Sequence, residues 1–273
     1  MVRPTVNKRA KAQIFALGVI GVAAAGFTLP ASAAITTYNL LSGGCSTNNT
    51  NYNNARSCTG VTATGWSNTG NPLTTGTQLD SARVVAYSSG LGTTNKDGPG
   101  GPGDGLDANE QDSDAPEHAI DNDQRKDSMR LTFGTSVKLT DVQLGYVSGD
   151  SDLTILAFTG GACNGGVAGQ TYVGLTSCGW TLVSHIMNVP QQSGTSFTSI
   201  NNTTSISSQY WLISTYISDL ANAGKTVGTA DSSKDHVKLL AVKGDTNGKV
   251  PEPGTAALLG IAGLGFWRLR RKV

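Results

Sequence analysis

Two neighbouring stretches, Ser128-Met-Arg-Leu-Thr-Phe133 and Val137-Lys-Leu-Thr-Asp-Val-Gln-Leu-Gly-Tyr146, decide the fold class of this chain. In the first stretch every second residue is apolar, which is the period of a β-strand with one buried face. The second stretch alternates in the same way, but the alternation slips by one residue between Leu139 and Val142. Such a slip predicts a β-bulge, in which a strand carries one extra residue without ending.

Segments of the same type recur on both sides of these stretches. They are rich in Val, Ile, Leu, Tyr and Trp, and turn-forming residues separate them. Further strands are predicted at Arg83–Tyr87, Leu153–Phe158, Trp180–Val189, Tyr210–Ile217 and His236–Val242. No sustained helical period occurs between the termini, and the region before about Asp80 is poor in apolar residues, so we expect long loops there. The pattern predicts an all-β fold, a single β-sandwich or jelly-roll-like domain with long Gly/Asn/Thr-rich loops.

The first 33 residues have the order of a secretory signal peptide. Four basic residues come first, an apolar stretch from Ile14 to Leu29 follows, and Ala31-Ser-Ala33 supplies small residues at its end. This order predicts cleavage by signal peptidase near Ala33/Ala34. A retained N-terminal anchor is the alternative, but the apolar run is short and small residues occupy the cleavage position. We therefore expect the chain to be exported.

Export changes how the charge of the chain should be read. The sequence has 20 Lys and Arg residues against 19 Asp and Glu residues. Without the basic residues of the signal peptide and of the C-terminal tail, 12 basic residues face 18 or 19 acidic ones. An acidic body offers little to a phosphate backbone, so we expect no nucleic-acid partner.

The cysteine content indicates disulfide bonds. An exported chain with four cysteines allows three pairings. The spacing favours two local pairs, Cys45–Cys58 and Cys163–Cys178. A zinc site is the alternative, but the chain has no C-x-x-C spacing and its three histidines are scattered.

An acidic, glycine-rich segment covers about residues 95–127. Nine carboxylates and two basic residues lie between Asp104 and Asp127. Hard oxygen ligands on a flexible loop suit calcium. The candidate ligands are Asp112, Asp114, Asp121 and Asp123, although the segment does not match the EF-hand pattern. The alternative is a solvated acidic loop without a metal.

Catalytic motifs are missing from the sequence. It contains no G-x-S-x-G, no H-E-x-x-H and no P-loop. Asp150 and Asp152 could place two carboxylates on one side of an extended segment, as glycoside hydrolysis requires, but any exposed turn can do the same. We expect no enzymatic activity and keep a secreted hydrolase as the least favoured hypothesis.

Aromatic residues supply a second hypothesis, a carbohydrate-binding module for matrix polysaccharide. Its candidate stacking residues are Trp66, Trp180, Tyr210 and Trp211. The alternative is that Trp180 and Trp211 belong to the core of their strands. Exposed aromatic residues along one face would favour binding, and buried ones would favour the core.

The C-terminal tail consists of three ordered parts. Pro251-Glu-Pro253 is followed by an apolar run from Thr255 to Trp267, and Arg268, Arg270, Arg271 and Lys272 follow that run. As a helix the run would be about 20 Å long, which is short for a bilayer core of about 30 Å. The basic residues can extend to the headgroups and stop translocation. The tail therefore predicts one short C-terminal transmembrane helix at about residues 255–267.

This tail resembles the PEP-CTERM sorting signal of bacterial proteins that are processed by exosortase. The resemblance covers residues 250–273. It implies transient retention in the inner membrane, cleavage near the Pro-Glu-Pro motif, and delivery to the cell surface or extracellular matrix of a Gram-negative bacterium. The predicted organisation is a signal peptide at 1–33, a secreted β domain at 34–248 and the sorting signal at 250–273.

The body also resembles a family of exosortase-dependent surface proteins, from about Ala115 to Val242. The segments that carry this resemblance are Ala115–Asn122, Gly149–Ala157, Tyr210–Ile213 and Val237–Ala241. Gly145-Tyr146 stands where Gly-Trp is expected in that family. The resemblance implies a non-enzymatic surface or matrix protein associated with exopolysaccharide, and it brings no catalytic residues.

Overall fold

The computed structural model describes residues 34–42, 44–45, 54–70, 78–95, 118–123, 125–220, 224–231 and 233–246. The predicted signal peptide, most of the acidic segment and the sorting tail lie outside these ranges. The described elements, in chain order, are β1 Ile35–Asn39, β2 Ala55–Cys58, β3 Val61–Gly70, β4 Gln78–Tyr87, β5 Gly90–Thr94, β6 Ile120–Asp121, β7 Asp127–Gly149, β8 Leu153–Phe158, α1 Tyr172–Ser177, β9 Trp180–Ile186, β10 Thr198–Ser199, β11 Ser208–Thr215, β12 Thr226–Val227 and β13 Asp235–Asp245.

Five strands close into a barrel. Their order is β13-β5-β4-β3-β7, and β7 pairs back with β13. The long strand β7 makes this closure, because its N-terminal half pairs with β3 and its C-terminal half pairs with β13. The strands β11, β8, β9 and β12 extend the sheet beyond β7, and β1 lies beside β13. All five barrel pairings are antiparallel.

The all-β prediction is confirmed, and the expectation of a β-sandwich or jelly roll is corrected to a closed barrel core with extra strands. The physical reason lies in β4 and β7. Residues 78–82 of β4 pair with β3, whereas residues 83–87 pair with β5. A strand that bends from one sheet into the next joins the two sheets, and strand closure leaves no free edge between them.

The bulge predicted within β7 is present. Leu139 lies opposite Gly244 and Asp141 lies opposite Lys243, so Thr140 is the extra residue between two paired positions. A second irregularity occurs at Gly145, which lies between Tyr146, opposite Lys238, and Leu144, opposite Leu239. A Cβ atom at Gly145 would collide with the Ser89 carbonyl oxygen, so this close approach requires glycine.

The five predicted flanking strands all correspond to described strands, with shifted ends in four of them. The expectation of long loops before Asp80 is wrong, because β3 spans ten residues and belongs to the barrel. This strand is built from small and polar residues. Its Ala63 is fully buried and lies opposite Leu131 of β7, so the partner strand supplies the apolar bulk.

The core has two parts that lie on opposite faces of the β7–β11–β8 sheet. Strand β11 shows the division, since Trp211 and Ile213 pack with the interior of the barrel and Leu212 packs with a second cluster around α1. Both faces of this strand are therefore buried, which explains its continuous apolar run. The helix α1 is a single short element, and Leu175 from its buried face belongs to the second cluster.

Both predicted disulfides are confirmed. Cys45–Cys58 joins the segment after β1 to the end of β2, and Cys163–Cys178 joins the segment after β8 to the end of α1. The paired cysteines are 13 and 15 residues apart. Closing a loop of this length stabilises the fold by about 3 kcal/mol in the chain-entropy model. The Cys163–Cys178 bond therefore closes the loop that carries α1, whose Leu175 belongs to the second cluster.

Candidate functional site

Three aspartates meet at one end of the barrel, where β7 leads into β8. Asp150, Asp152 and Asp231 each place a carboxylate oxygen within 4.8 Å of the others, and we call them the aspartate cluster. Asp150 and Asp152 lie on the β7–β8 connection, whereas Asp231 comes from the segment before β13. An open polar groove beside the cluster is lined by Ser148, Asp150, Asn188, Asp231, Ser233 and His236.

The backbone positions the β7–β8 connection against the start of β13. Gly149 has φ +70°, and a Cβ atom at this residue would lie 2.9 Å from the Lys234 carbonyl oxygen. Glycine adopts this conformation without steric cost. The Asp150 N–H then donates to the Lys234 carbonyl at 3.1 Å, and the His236 N–H donates to the Asp150 carbonyl at 3.3 Å. These contacts fix the direction in which the connection leaves the barrel.

A fourth carboxylate, Asp235, is buried and holds this region in place through hydrogen bonds. It is 1% exposed, and its Oδ1 accepts the Asp152 N–H at 2.6 Å. Its Oδ2 accepts from Asn122 Nδ2 at 2.6 Å and from the Tyr216 N–H at 3.3 Å. Its own N–H donates to Asn122 Oδ1 at 2.9 Å. Asp235 therefore joins three separate chain segments.

Within the cluster the three carboxylates have different environments. Asp152 is 1% exposed, and its Oδ1 accepts the Asn188 N–H at 2.7 Å. Asp150 is half-buried, and its Oδ1 accepts the Ser151 N–H at 2.8 Å. Asp231 is exposed and accepts the Ser233 N–H at 2.7 Å. The groove is therefore open at Asp150 and Asp231 and closed at Asp152.

Burial controls the protonation of the two deepest carboxyls. Burial raises the pKa of Asp152 to about 6, repulsion from Asp150 and Asp231 adds to the rise, and the Asn188 N–H opposes it. Burial likewise raises the pKa of Asp235 to about 7, with repulsion from the neighbouring carboxylates, while hydrogen bonds from backbone N–H groups oppose the rise. The Ser233 N–H instead lowers the pKa of the exposed Asp231.

This arrangement has defined chemical capabilities. Asp150 and Asp231, with Asp152 behind them, offer oxygen ligands of the type that a hard divalent cation takes. A carboxyl with a raised pKa beside an ionised carboxylate is also the pattern of a glycosidase acid and base. A glycosidic oxygen must reach the acid, however, and the side chain of Asp152 is enclosed.

The structure brings together only part of what the sequence predicted for metal binding. Asp112 and Asp114 lie outside the described residues, so the calcium prediction for that segment stays a prediction. Asp121 belongs to β6, and Asp123 Oδ2 lies 2.6 Å from Lys234 Nζ in an ion pair. The predicted pair Asp150 and Asp152 does meet in the cluster. Sequence reasoning missed Asp231 and Asp235, which lie about 80 residues further along the chain without a recognisable motif.

The candidate stacking residues do not form an exposed platform. Trp180 and Trp211 are 1% and 0% exposed, which confirms their prediction as strand-core residues. Trp66 is 9% exposed, and the Arg130 guanidinium lies 5.6 Å from its ring centre. The same guanidinium lies 5.9 Å from the ring centre of Tyr210, which is half-buried. These rings pack within the body and against Arg130.

Comparison with known proteins identifies the C-terminal segment. Residues 249–272 match the family model of the PEP-CTERM protein-sorting motif. The chain carries this motif, which implies processing by exosortase together with export and surface sorting in a Gram-negative bacterium. No curated protein and no solved structure matches the chain.

The sorting residues themselves lie beyond the described ranges. These are Pro251, Glu252 and Pro253 with the basic residues Arg268, Arg270, Arg271 and Lys272. The predicted transmembrane helix at about 255–267 also lies there. Within the described part of the chain, no helix has the length and apolar character needed to cross a bilayer.

The raised pKa of Asp152 gives a prediction about stability. A carboxyl that holds its proton more tightly in the folded state contributes stability below pH 4, and this contribution is lost as the pH rises towards 7. Asp152→Asn keeps the acceptor for the Asn188 N–H but cannot ionise. We expect the free energy of unfolding of this variant, relative to the unsubstituted protein, to increase by about 1 to 3 kcal/mol between pH 4 and pH 7.

Urea denaturation at several pH values, in the presence of EDTA, measures this difference. Burial lowers the pKa of His185 and of His236, which acts in the opposite direction, but both histidines are common to the two proteins and cancel. Asp219→Asn is the matched control, because the Asp219 side chain is 64% exposed. A difference for Asp152→Asn that stays constant with pH would contradict the burial of an ionisable Asp152.

Proposed function

We propose that this chain is a non-enzymatic surface or matrix protein that exosortase cleaves near Pro251-Glu252-Pro253. The tail first holds the exported precursor in the inner membrane through the apolar run at about 255–267. Cleavage then releases the body to the cell surface or to the exopolysaccharide matrix. The observation that carries this proposal is the match of residues 249–272 to the PEP-CTERM protein-sorting motif.

The body has properties that are typical of extracellular proteins. Two disulfides hold its loops, and such bonds persist in oxidising compartments. Only 14% of the residues in the chain are charged, against about 25% in ordinary soluble domains. Gly, Ser, Thr and Asn replace the charged residues, and their neutral hydrogen-bonding groups suit contact with a hydrated polysaccharide. This composition supports association with the matrix.

The enclosure of the acidic residues supports a non-enzymatic role. Asp152 has the raised pKa that a general acid needs, but it is only 1% exposed. Asp235 uses both carboxyl oxygens to accept hydrogen bonds within the body. The hydrolase hypothesis needs a substrate to reach a carboxyl with a raised pKa, and the groove is closed at Asp152. The buried indoles also argue against a carbohydrate-binding module of the aromatic-platform type, so the proposed matrix association does not depend on ring stacking.

The C-terminal residue of the mature protein tests the proposal. We expect mass spectrometry of the surface and medium fractions to find a C-terminus close to Pro251, because prolines disfavour helix and favour the extended backbone that a protease binds. A strain without exosortase is the control and should keep the intact tail. Mature surface protein that ends at Val273 would mean that the tail is an ordinary anchor.

A further inference from the structure

The start of the first described strand and the end of the last one lie side by side. β1 pairs antiparallel with β13, so Ile35 lies opposite Asp245 and Asn39 lies opposite Ala241. Paired Cα atoms in an antiparallel ladder are about 5 Å apart. The chain therefore enters the body and leaves it at neighbouring positions, which we call the junction end.

The pairing of β1 with β13 is a firmly packed part of the body. Tyr38 is buried, and its ring packs edge-on against Phe133 with 4.8 Å between ring centres. Leu40 is fully buried, and its N–H donates to the Leu240 carbonyl at 3.1 Å. Arg56 Nε donates to the Leu40 carbonyl at 3.0 Å. These contacts hold β1 against β13 and the barrel.

Both predicted cleavage positions are tied to this end by short lengths of chain. Ala34, which follows the predicted signal-peptidase site, is the residue before Ile35. Pro251 comes six residues after Asp245. Six residues span about 20 Å even when fully extended, so the sorting motif cannot lie far from the junction end.

The aspartate cluster lies at the opposite end of the same strand. Asp235 begins β13 and Asp245 ends it, and Asp235 accepts the N–H of Asp152 from the cluster. Ten steps of about 3.3 Å place the two ends of the strand roughly 33 Å apart. The groove and the junction end are therefore on different sides of the barrel.

The junction end and the groove end of the barrel also differ in charge. At the junction end Lys138 lies opposite Asp245 and Lys243 lies opposite Asp141, so opposite charges are neighbours. At the other end the aspartate cluster brings three carboxylates together, and the one lysine in the groove lining, Lys234, is paired with Asp123 outside the cluster. Anionic lipid headgroups repel carboxylates, so the neutral end meets a bilayer at lower electrostatic cost.

We propose that the retained precursor stands with the junction end on the lipid surface and with the groove of the aspartate cluster facing away from it. This orientation rests on the membrane retention proposed above. It brings both cleavage positions to the membrane surface at the same end of the body. It also leaves the groove open to ligands in the compartment into which the body is exported.

Depth-dependent quenching tests the orientation. The full-length chain, reconstituted in vesicles of phosphatidylethanolamine and phosphatidylglycerol, carries a fluorescent amino acid in place of Thr37 or of Ser233. Both residues are exposed, Thr37 on β1 and Ser233 beside the groove. With a nitroxide quencher on the lipid headgroups, we expect loss of fluorescence at position 37 and none at position 233. Removal of the tail by a protease should restore the fluorescence at position 37.

The outcomes separate this inference from the proposed function. Quenching at position 233 that equals or exceeds quenching at position 37 would overturn the orientation, and so would no quenching at either position in protein that floats with the vesicles. Protein that does not float with the vesicles would instead refute membrane retention, and the orientation would fall with it. Circular dichroism of both labelled proteins confirms that the substitutions leave the fold intact.

Discussion

Replacing Trp211 by alanine should lower the free energy of unfolding by about 3 to 5 kcal/mol. Trp211 is fully buried in β11, between β7 and β8. Its Nε1 donates to the carbonyls of Val137 and Ser208, each at 3.1 Å. The substitution therefore leaves a large cavity and removes the donor for two buried carbonyls, and both effects destabilise the fold.

Chemical denaturation followed by circular dichroism measures this loss, because the variant also removes a fluorescent residue. Trp211→Phe keeps most of the apolar volume, so it separates packing from hydrogen bonding and should cost less. Val173→Ala is the exposed control, since Val173 is 49% exposed on α1, and we expect it to change stability by less than about 0.5 kcal/mol.

The same variant distinguishes the core role of Trp211 from the carbohydrate-binding hypothesis. A residue that stacks on a sugar from the surface would, when replaced, reduce glycan binding and leave stability almost unchanged. A core residue does the opposite. A loss of stability below about 1 kcal/mol for Trp211→Ala would therefore contradict the packing described above.

Local patterns in the sequence were sufficient to predict the strands whose own residues are apolar at alternate positions. The alternation in β7 and its slip between Leu139 and Val142 were both predicted, because side chains that alternate between two faces leave a direct trace in the sequence. The two local disulfides were predicted from spacing. In each case the residues that determine the structure are close together along the chain.

Features that depend on distant segments were not predictable in this way. β3 reads as a loop because its small residues gain their environment from Leu131 and other residues of β7. Closure into a barrel depends on the pairing of β7 with β13, whose partners Val142 and Val242 are 100 residues apart. The aspartate cluster likewise joins Asp150 to Asp231. Nothing in the local sequence around Asp231 marks it as a neighbour of Asp150.

Asp235 connects parts of the chain that are distant in the sequence. Asn122, just after β6, forms two hydrogen bonds with Asp235. Asp152, on the β7–β8 connection, donates its N–H to the same side chain. Asp235 itself begins β13. Contacts of this kind leave no local pattern in the sequence.

Replacing Arg268, Arg270, Arg271 and Lys272 by serine should abolish most retention of the precursor in the membrane. A helix over the thirteen apolar positions is about 20 Å long, and three glycines, at 260, 263 and 265, reduce its apolar surface further. An apolar run this short does not span a bilayer core of about 30 Å by itself. The positive charges therefore decide whether translocation stops, since they favour the cytoplasmic side.

The measurement is the distribution of the body among membrane, surface and medium fractions, together with its C-terminal residue. We expect the serine variant to appear in the medium with Val273 intact, because it passes exosortase without stopping.

A variant with lysine at 268, 270 and 271 is the matched control. It keeps the charge, so it should retain the precursor in the membrane, and cleavage of this control would show that charge rather than the guanidinium group is required. Cleaved serine variant on the cell surface would contradict the stop-transfer role of the four residues. Retention would then depend on the apolar run and on direct recognition of Pro251-Glu252-Pro253 by the protease.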